Sequence, residues 1–531
     1  MDHQSQDQIG RLLSRYPILL VIGIGLLVAA AMGMWVGSGE IMKAGGVIAG
    51  CIAVGTTLAL GRNYWMLIPF AFASDLPAIP VGGRTIELGE LAGVAGGLTF
   101  LARYAMKLQR FTLFHKSHAP VLLYAGWAMF IFFLHPVGLS SSGESLGGAR
   151  FYAKILLGLV AFIVMANQEI GERECKWIII ITVVATVLTT AYEIGSHFLP
   201  FLRESGPVEY TYTGDAFYTW QQALANVPTL LVLLMLARYR SGEIFSLQRG
   251  VWLLGLFVGS VAMIVASGKR GAVGMLPLFT MTAAFFRKEY GYFMLWIAGA
   301  FLAVVVLVAG HGTLFHLPLT AQRALSFLPA KWDTEMEHIE GGQDSFRKEL
   351  RRLAWIKIKQ DPWVGTGYQV DLKMAQDMAV QYAIGGGDIE AQVTPMAMSS
   401  AWHNTWLGYA ADFGIPASIL VGFIYLTVLR RAWTTARVLP PHSMTMTLTM
   451  YILLFSFRDA AVSHTSGHSA LDAFSRWWIY GLLIAIELTN RQRLATPPAE
   501  PESAGGRPLL QPAIAGRPAR QPARVQRPAA F

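Results

Sequence analysis

The stretch "GYFMLWIAGAFLAVVVLVA", Gly291–Ala309, carries no charged side chain. Wound as an α-helix rising 1.5 Å per residue, it spans about 28 Å. The hydrocarbon core of a bilayer is about 30 Å thick, so this segment has the length and the greasiness of a membrane crossing. Runs of the same kind recur along the chain near 17–36, 43–60, 62–80, 87–105, 119–138, 152–167, 176–195 and 223–238. They continue at 250–267, 271–286, 291–309, 405–429, 443–457 and 470–489. A composition of 54% hydrophobic and 14% charged residues excludes an ordinary soluble enzyme. The expectation is an all-α, polytopic transmembrane helical bundle of about 12–14 spans. One large, partly helical extracytoplasmic loop interrupts it. The first run reads as a span rather than a cleaved leader, since further spans follow it. No internal repeat of transporter type is evident.

Lys and Arg in short loops set the orientation. The segments "RYAMKLQRFTLFHKSH" (Arg103–His118), "RYRSGEIFSLQR" (Arg238–Arg249), "RKEY" (Arg287–Tyr290) and "RRAWTTAR" (Arg430–Arg437) are basic, and the loops between them are poorer in cations. These basic loops are expected in the cytoplasm, and an even number of spans puts both termini there too. The division that follows is N-terminal helices over 1–309, an extracytoplasmic loop over 310–401, C-terminal helices over 402–489 and a tail over 490–531. The tail holds seven Arg against two Glu and is rich in Pro and Ala, so five of the nine net positive charges belong to it. Such a composition cannot build a core and reads as a disordered cytoplasmic extension, with anionic lipid as one potential contact. Cys51 falls in a span and Cys175 on a cytoplasmic loop, which argues against a disulfide between them.

Four places outside the spans carry chemistry. In the long loop, "FRKELRRLAWIKIKQ", Phe346–Gln360, puts Phe346, Leu350, Leu353 and Ala354 on one helical face and Arg347, Lys348, Arg351 and Arg352 on another. It reads either as a basic helix lying on the membrane or as a cationic cap over a site for an acidic head group. In "SGKRGAVG", Ser267–Gly274, Lys269 and Arg270 fall on the outer side, which cations usually avoid. They are either harmless turn charges or a phosphate clamp, for which a guanidinium offers two parallel hydrogen bonds and lysine only a point charge. "FLRESGPVEYTYTGDAFYTW", Phe201–Trp220, offers Arg203 amid Tyr210, Tyr212, Phe217, Tyr218 and Trp220, a pattern also expected of an interfacial belt. "SSAWHNTWLGYAADFGIP", Ser399–Pro416, places His403 and Asn404 at the mouth of a span, where a capping or interfacial role competes with catalysis. His464 and His468 have metal-ligand spacing but no evident third ligand, so no metal site is expected. Asp75, near an outer helix end, reads as structural.

Three of these pieces together resemble the O-antigen ligase and Wzy-type polysaccharide polymerase superfamily of bacterial membrane glycosyltransferases. "SGKRGAVG" is similar to its small-residue–Arg–Gly motif. "RRLAWIKIKQDPWVGTGYQV", Arg351–Val370, is similar to its Arg…Trp…Pro…Gly-x-Gly segment. "WHNTWLGYAADFGIPASIL", Trp402–Leu420, resembles its His-Asn…Leu…Gly-Ile-x-Gly signature, with Pro416 and Ala417 standing where a Gly is common. The resemblance is sharpest over 267–420, and Arg203-Glu-Ser-Gly looks like a less distinct Arg-x-x-Gly element.

The resemblance implies a glycan donor on a polyprenyl diphosphate, normally undecaprenyl diphosphate. It implies as acceptor lipid A–core sugar (ligase) or a second lipid-linked glycan (polymerase). The expectation built on it is an inverting transfer at the periplasmic face of the inner membrane, with no divalent ion demanded if arginines do the neutralising, no cofactor and no nucleic acid. On that footing Arg270, with Arg203, Lys269 and Arg351, holds the diphosphate, His403 accepts the hydroxyl proton, and Asn404 orients the histidine or contacts a sugar. A flippase for lipid-linked oligosaccharide is the reading from another class. It would place polar groups deep within several spans rather than around one outer loop.

Overall fold

A computed structural model describes residues 61–136, 149–199, 221–368, 402–461 and 469–495, apart from a few single positions that include Asp75 and His403. The runs at 17–36 and 43–60, Arg203 with its aromatic neighbours, His403, the His464/His468 pair and the tail beyond 495 lie outside the described residues.

The described chain is helical. A 3-10 turn, Gly61–Met66, leads into α1 (Leu67–Ala73), followed by a hairpin of β1 (Ile79–Val81) and β2 (Arg84–Ile86). Then come α2 (Leu88–Ala105), α3 (Ala119–Leu134), α4 (Ala149–Ala166), α5 (Glu172–Phe198), α6 (Asn226–Arg238) and the single turn α7 (Ser241–Ile244). The order continues with α8 (Leu247–Ala266), α9 (Arg270–Phe286), α10 (Tyr290–Gly310), α11 (Leu319–Leu325) and α12 (Thr334–Gln360). It closes with α13 (Thr405–Ala436), α14 (Met444–Ala461) and α15 (Ser469–Ala495). Helices α4, α5, α10 and α13 are long and apolar enough to cross a membrane, and α3, α6, α8 and α9 are shorter apolar helices. The chain is a multi-pass membrane protein.

The run at 62–80 does not form one helix. It breaks at Ser74, and Pro77 and Pro80 follow in "LPAIP", where proline removes amide donors and restricts the residue before it. The strands then pair antiparallel, Ile79 opposite Ile86 and Pro80 opposite Thr85.

The basic loops gather at one end of the bundle, as hydrogen bonds between them require. Arg287 Nη2 donates to Ala237 O at 2.7 Å and Glu289 accepts from Ser241 N at 3.0 Å. Arg238 reaches Thr447 Oγ1 at 3.3 Å, and Glu172 accepts from Thr445 N at 3.0 Å. The start of α9, the start of α6 and the ends of α5 and α14 therefore stand at the opposite end. The bundle is tied through its centre by Tyr124 of α3. Its ring meets Tyr409 and Phe413 of α13 and Trp477 of α15 edge-on, at centroid distances of 5.5, 6.1 and 5.4 Å.

Helix α12 has the two faces that its sequence implies. Leu350, Ala354 and Ile358 are buried against Trp402, Ala410 and Ala411, with Phe346 and Leu353 packed beside them. Its apolar face is thus covered by the first turns of α13 rather than by lipid. Arg347, Lys348, Arg351 and Arg352 remain exposed.

Helix α13 is broken at Gly414, which has φ 80° and ψ 167°. Pro416 has no N–H to give to Asp412 O, and the break also separates Ile415 N from Ala411 O. The loop after α12 supplies partners for Asp412 O, Ala411 O and Ile415 N. Gly367 N donates to Asp412 O at 2.8 Å and Thr366 N to Ala411 O at 3.1 Å, while Ile415 N donates to Pro362 O at 2.8 Å. Trp127 Nε1 adds a bond to Phe413 O at 2.8 Å. Irregular backbone survives at membrane depth only where protein satisfies it in this way. A Cβ at Gly414 would lie 2.1 Å from Trp363 O, and one at Gly365 would lie 2.6 Å from Asp412 O, so both positions need glycine.

Candidate functional site

At the end of the bundle away from the basic loops is a cavity of about 580 Å³. Its wall is assembled from α5, α6, the α8–α9 turn, α9, α11, α12 and α14. Five cations line it, Lys269, Arg270, Arg323, Arg347 and Arg458, against the carboxylate of Glu193. Leu230, Leu233, Met275, Phe279 and Phe455 form its apolar wall.

The turn that presents Lys269 and Arg270 is fixed locally. Ser267 Oγ donates to Ile264 O at 2.7 Å and accepts from Lys269 N at 3.2 Å. Gly268 sits at φ +73°, and a Cβ there would come within 3.3 Å of Thr320 O, so glycine lets the turn approach α11. Lys269 is the N-cap of α9 and Arg270 its first residue. Cations at a helix N-terminus oppose the helix dipole, typically by 0.3–1 kcal/mol each (about). A local rule is broken where an anion would repair it, since a helix start with nearby cations attracts phosphate.

The side chains are held in place. Arg270 Nη1 donates to Ser326 Oγ at 3.2 Å, just past the end of α11. Lys269 Nζ donates to Asn226 Oδ1 at 2.9 Å, and the Asn226 amide donates to Glu193 Oε2 at 3.0 Å. The single carboxylate in the wall therefore acts on Lys269 through an amide relay. Arg458 pairs with Asp459 at 2.7 Å, and Arg476 reaches the other Asp459 oxygen at 3.2 Å. Two guanidiniums thus share one buried carboxylate.

Among the residues expected at the site, Lys269 and Arg270 line the cavity. Arg351 does not. It lies exposed on α12, and its Nε donates to Arg347 O at 3.2 Å. Arg347, one turn earlier, lines the cavity instead. Asn404 is the N-cap of α13 and accepts from Leu407 N at 3.1 Å. Arg203 and His403 lie outside the described residues. Sequence reasoning missed Arg323 and Arg458, each an isolated arginine near a helix end with no local motif, and also Glu193 within an apolar run.

Beside Asn404, the His-Asn segment is anchored through Trp402. Its indole is buried, with Nε1 donating to Asp412 Oδ1 at 3.1 Å, and Asp412 is fully buried. Lys357 of α12 lies over the Trp402 ring, Nζ 4.9 Å from the centroid. Burial pushes the Lys357 ammonium below its ordinary value, and the Asp412 charge partly offsets that.

Residues 255–422, from within α8 to the middle of α13, match the family model of the O-antigen ligase, Wzy_C. Over this segment the chain is similar to the O-antigen ligase and Wzy-type superfamily. The matched segment holds Lys269, Arg270, Arg323 and Arg347 of the cavity, together with the α12 loop and the kink of α13 that it braces. The match supports a glycosyltransferase-like function of the ligase or polymerase type, on lipid-linked glycan and acceptor in general. No curated protein matches the chain.

Proposed function

We propose that this protein transfers a glycan from an undecaprenyl-diphosphate donor to a sugar hydroxyl at the periplasmic face of the inner membrane, as an O-antigen ligase. The observation that carries this reading is the convergence of Lys269, Arg270, Arg323, Arg347 and Arg458 on one cavity with one carboxylate. A cluster of cations gathered on one wall among membrane helices is costly to assemble and marks the path of an anionic substrate. The volume, about 580 Å³, suits a diphosphate with its first sugars.

In the reaction, the acceptor oxygen attacks the anomeric carbon as the bond from that carbon to the diphosphate oxygen breaks, inverting the configuration. The hydroxyl proton passes to His403, imidazole being the side chain best suited in general to proton transfer at neutral pH. The diphosphate leaves with its electron pair, and the growing charge is met by guanidiniums already in place. Arg270 takes the central position because its guanidinium is braced by Ser326 and stands at the start of α9. Arg347, rather than Arg351, is the loop arginine that meets the diphosphate. On this reading the basic loops at the other end face the cytoplasm, with the cavity, loop 310–401 and the acceptor outside and both termini inside.

Reconstitution with purified lipid-linked donor and lipid A–core acceptor tests the proposal. A covalent product of inverted configuration is expected, and Arg270→Ala and His403→Ala should each abolish it. Movement of donor across the bilayer without any product would make the protein a carrier. Product only with a second lipid-linked glycan as acceptor would make it a polymerase, which uses the same chemistry.

A further inference from the structure

Between α10 and α12, outside the cavity wall, His311, His316 and Asp333 converge, each offering a ligand atom within 4.8 Å of the others. We propose that these three residues bind a divalent transition metal, zinc in the first instance. The metal staples the end of α10 to the start of α12.

Each ligand is held by its local structure. His311 is the C-cap of α10 and is buried, its ring tilted on Trp332 at 5.1 Å. A tight turn follows. Leu314 N donates to Gly310 O at 2.8 Å, Gly312 N donates to Phe315 O at 2.9 Å, and Gly312 sits at φ +77°. That turn brings the His316 ring back to 5.5 Å from the His311 ring. Asp333 is the N-cap of α12, a position where aspartate normally accepts from the first turn, yet it makes no side-chain cap bond. Its carboxylate is turned instead toward Gln322, which is fully buried and grips it twice. Gln322 Nε2 donates to Asp333 Oδ2 at 2.6 Å, and Gln322 Oε1 accepts from Asp333 N at 3.1 Å. A good helix cap has been diverted to face two imidazoles.

Two imidazoles and a carboxylate are the donor set of zinc sites that keep a further position for water. With metal–ligand bonds of about 2.1 Å, tetrahedral ligand atoms stand about 3.4 Å apart. The observed separations need only a small rotation, which the exposed His316 side chain can make. The contact from Leu317 N to His311 Nδ1 is long, 3.4 Å, and little is lost when metal binding exchanges it. The consequence reaches the cavity through α11, which lies between the ligands in sequence. Gln322 holds Asp333, the adjacent Arg323 lines the cavity, and Ser326 holds Arg270. A metal at this staple therefore stiffens the segment that carries two of the cavity's contacts.

The test uses the full chain in detergent, purified through a tag without histidine and stripped with chelator. Cobalt(II) is added and its visible absorption followed, then zinc displaces it and bound metal is counted by mass spectrometry. One metal per chain is expected. His316→Ala and Asp333→Asn should each weaken binding at least tenfold, and His311→Ala more. The double variant His464→Gln/His468→Gln should bind as the unaltered protein does. Zinc should also slow amide exchange across residues 311–333. Because His316 is exposed, His316→Ala keeps the test valid should His311→Ala fail to fold. Substoichiometric metal, unchanged affinity in both His316→Ala and Asp333→Asn, or loss of binding in the double variant would overturn the staple. No donor or acceptor is present in the assay, so its failure leaves the proposed transfer reaction untouched.

Discussion

Arg347 and Arg351 are one helical turn apart in a run of basic residues, and only one of them lines the cavity. Sequence spacing put both on the polar face of α12 and could not rank them, because the rotation of that helix is set by what its apolar face packs against. Arg347→Ala should lower glycan transfer by about 10- to 100-fold, the cost of one charge-assisted contact to a leaving group. Arg351→Ala should change it less than twofold, and a transfer assay on both variants decides. Arg270→Lys should also be damaging, at about 100-fold, since the charge is kept but the fork that spans two phosphate oxygens is lost. Lys357 and Asp412 make a different prediction. Burial holds the Lys357 ammonium below its ordinary value of 10.5. The unfolded chain then binds a proton that the folded chain does not, so stability falls as the pH drops from 10.5 to the depressed value and is flat below it. Lys357→Met should remove that alkaline slope in thermal unfolding measured between pH 8 and 11. Asp412→Asn alone should destabilise, by about 3–5 kcal/mol, because it leaves a buried ammonium without its counter-charge. The pair of substitutions together should recover part of that loss.

At the scale of elements, the kink of α13 and the Gly-x-Gly loop are one device. The loop from Pro362 to Gly367 replaces the hydrogen bonds that Pro416 and Gly414 remove from the helix. Two motifs separate in the chain turn out to be the halves of one contact, which explains how α13 tolerates Pro416. Gly414→Ala should cost at least about 2–3 kcal/mol, since an L-residue at that positive φ is strained and its Cβ would strike Trp363 O. Gly365→Ala should act similarly through Asp412 O. Lower thermal stability and poor insertion are the expected readouts, whereas unchanged stability would mean that the contact is looser than its geometry. The glycines were visible in the sequence, but their pairing was not, because nothing local says which distant carbonyl a glycine lets in. The run at 62–80 shows the opposite error, in which hydropathy alone outvoted two prolines.

For the whole molecule, the gathering of Arg238, Arg287, Glu172 and Glu289 at one end and of the cavity cations at the other makes a sidedness prediction. With Cys51 replaced by Ser, a membrane-impermeant maleimide should label Thr313→Cys in intact spheroplasts and His442→Cys only after permeabilisation. Both positions are exposed, and Cys175 is buried and should stay silent. Labelling in the reverse order would place the cavity in the cytoplasm and remove the proposed donor. The sequence by itself determined that the chain is a helical membrane bundle, where most of its apolar helices run, and that Lys269 and Arg270 stand out. Those features follow from hydropathy and from charge on short loops, which act over one helix at a time. Only the tertiary structure decided which cations share a cavity, because Arg323, Arg347 and Arg458 come together through the packing of α11, α12 and α14. That packing is a sum of contacts between separate segments, α14 lying about a hundred residues beyond the other two, and no one stretch of sequence contains it.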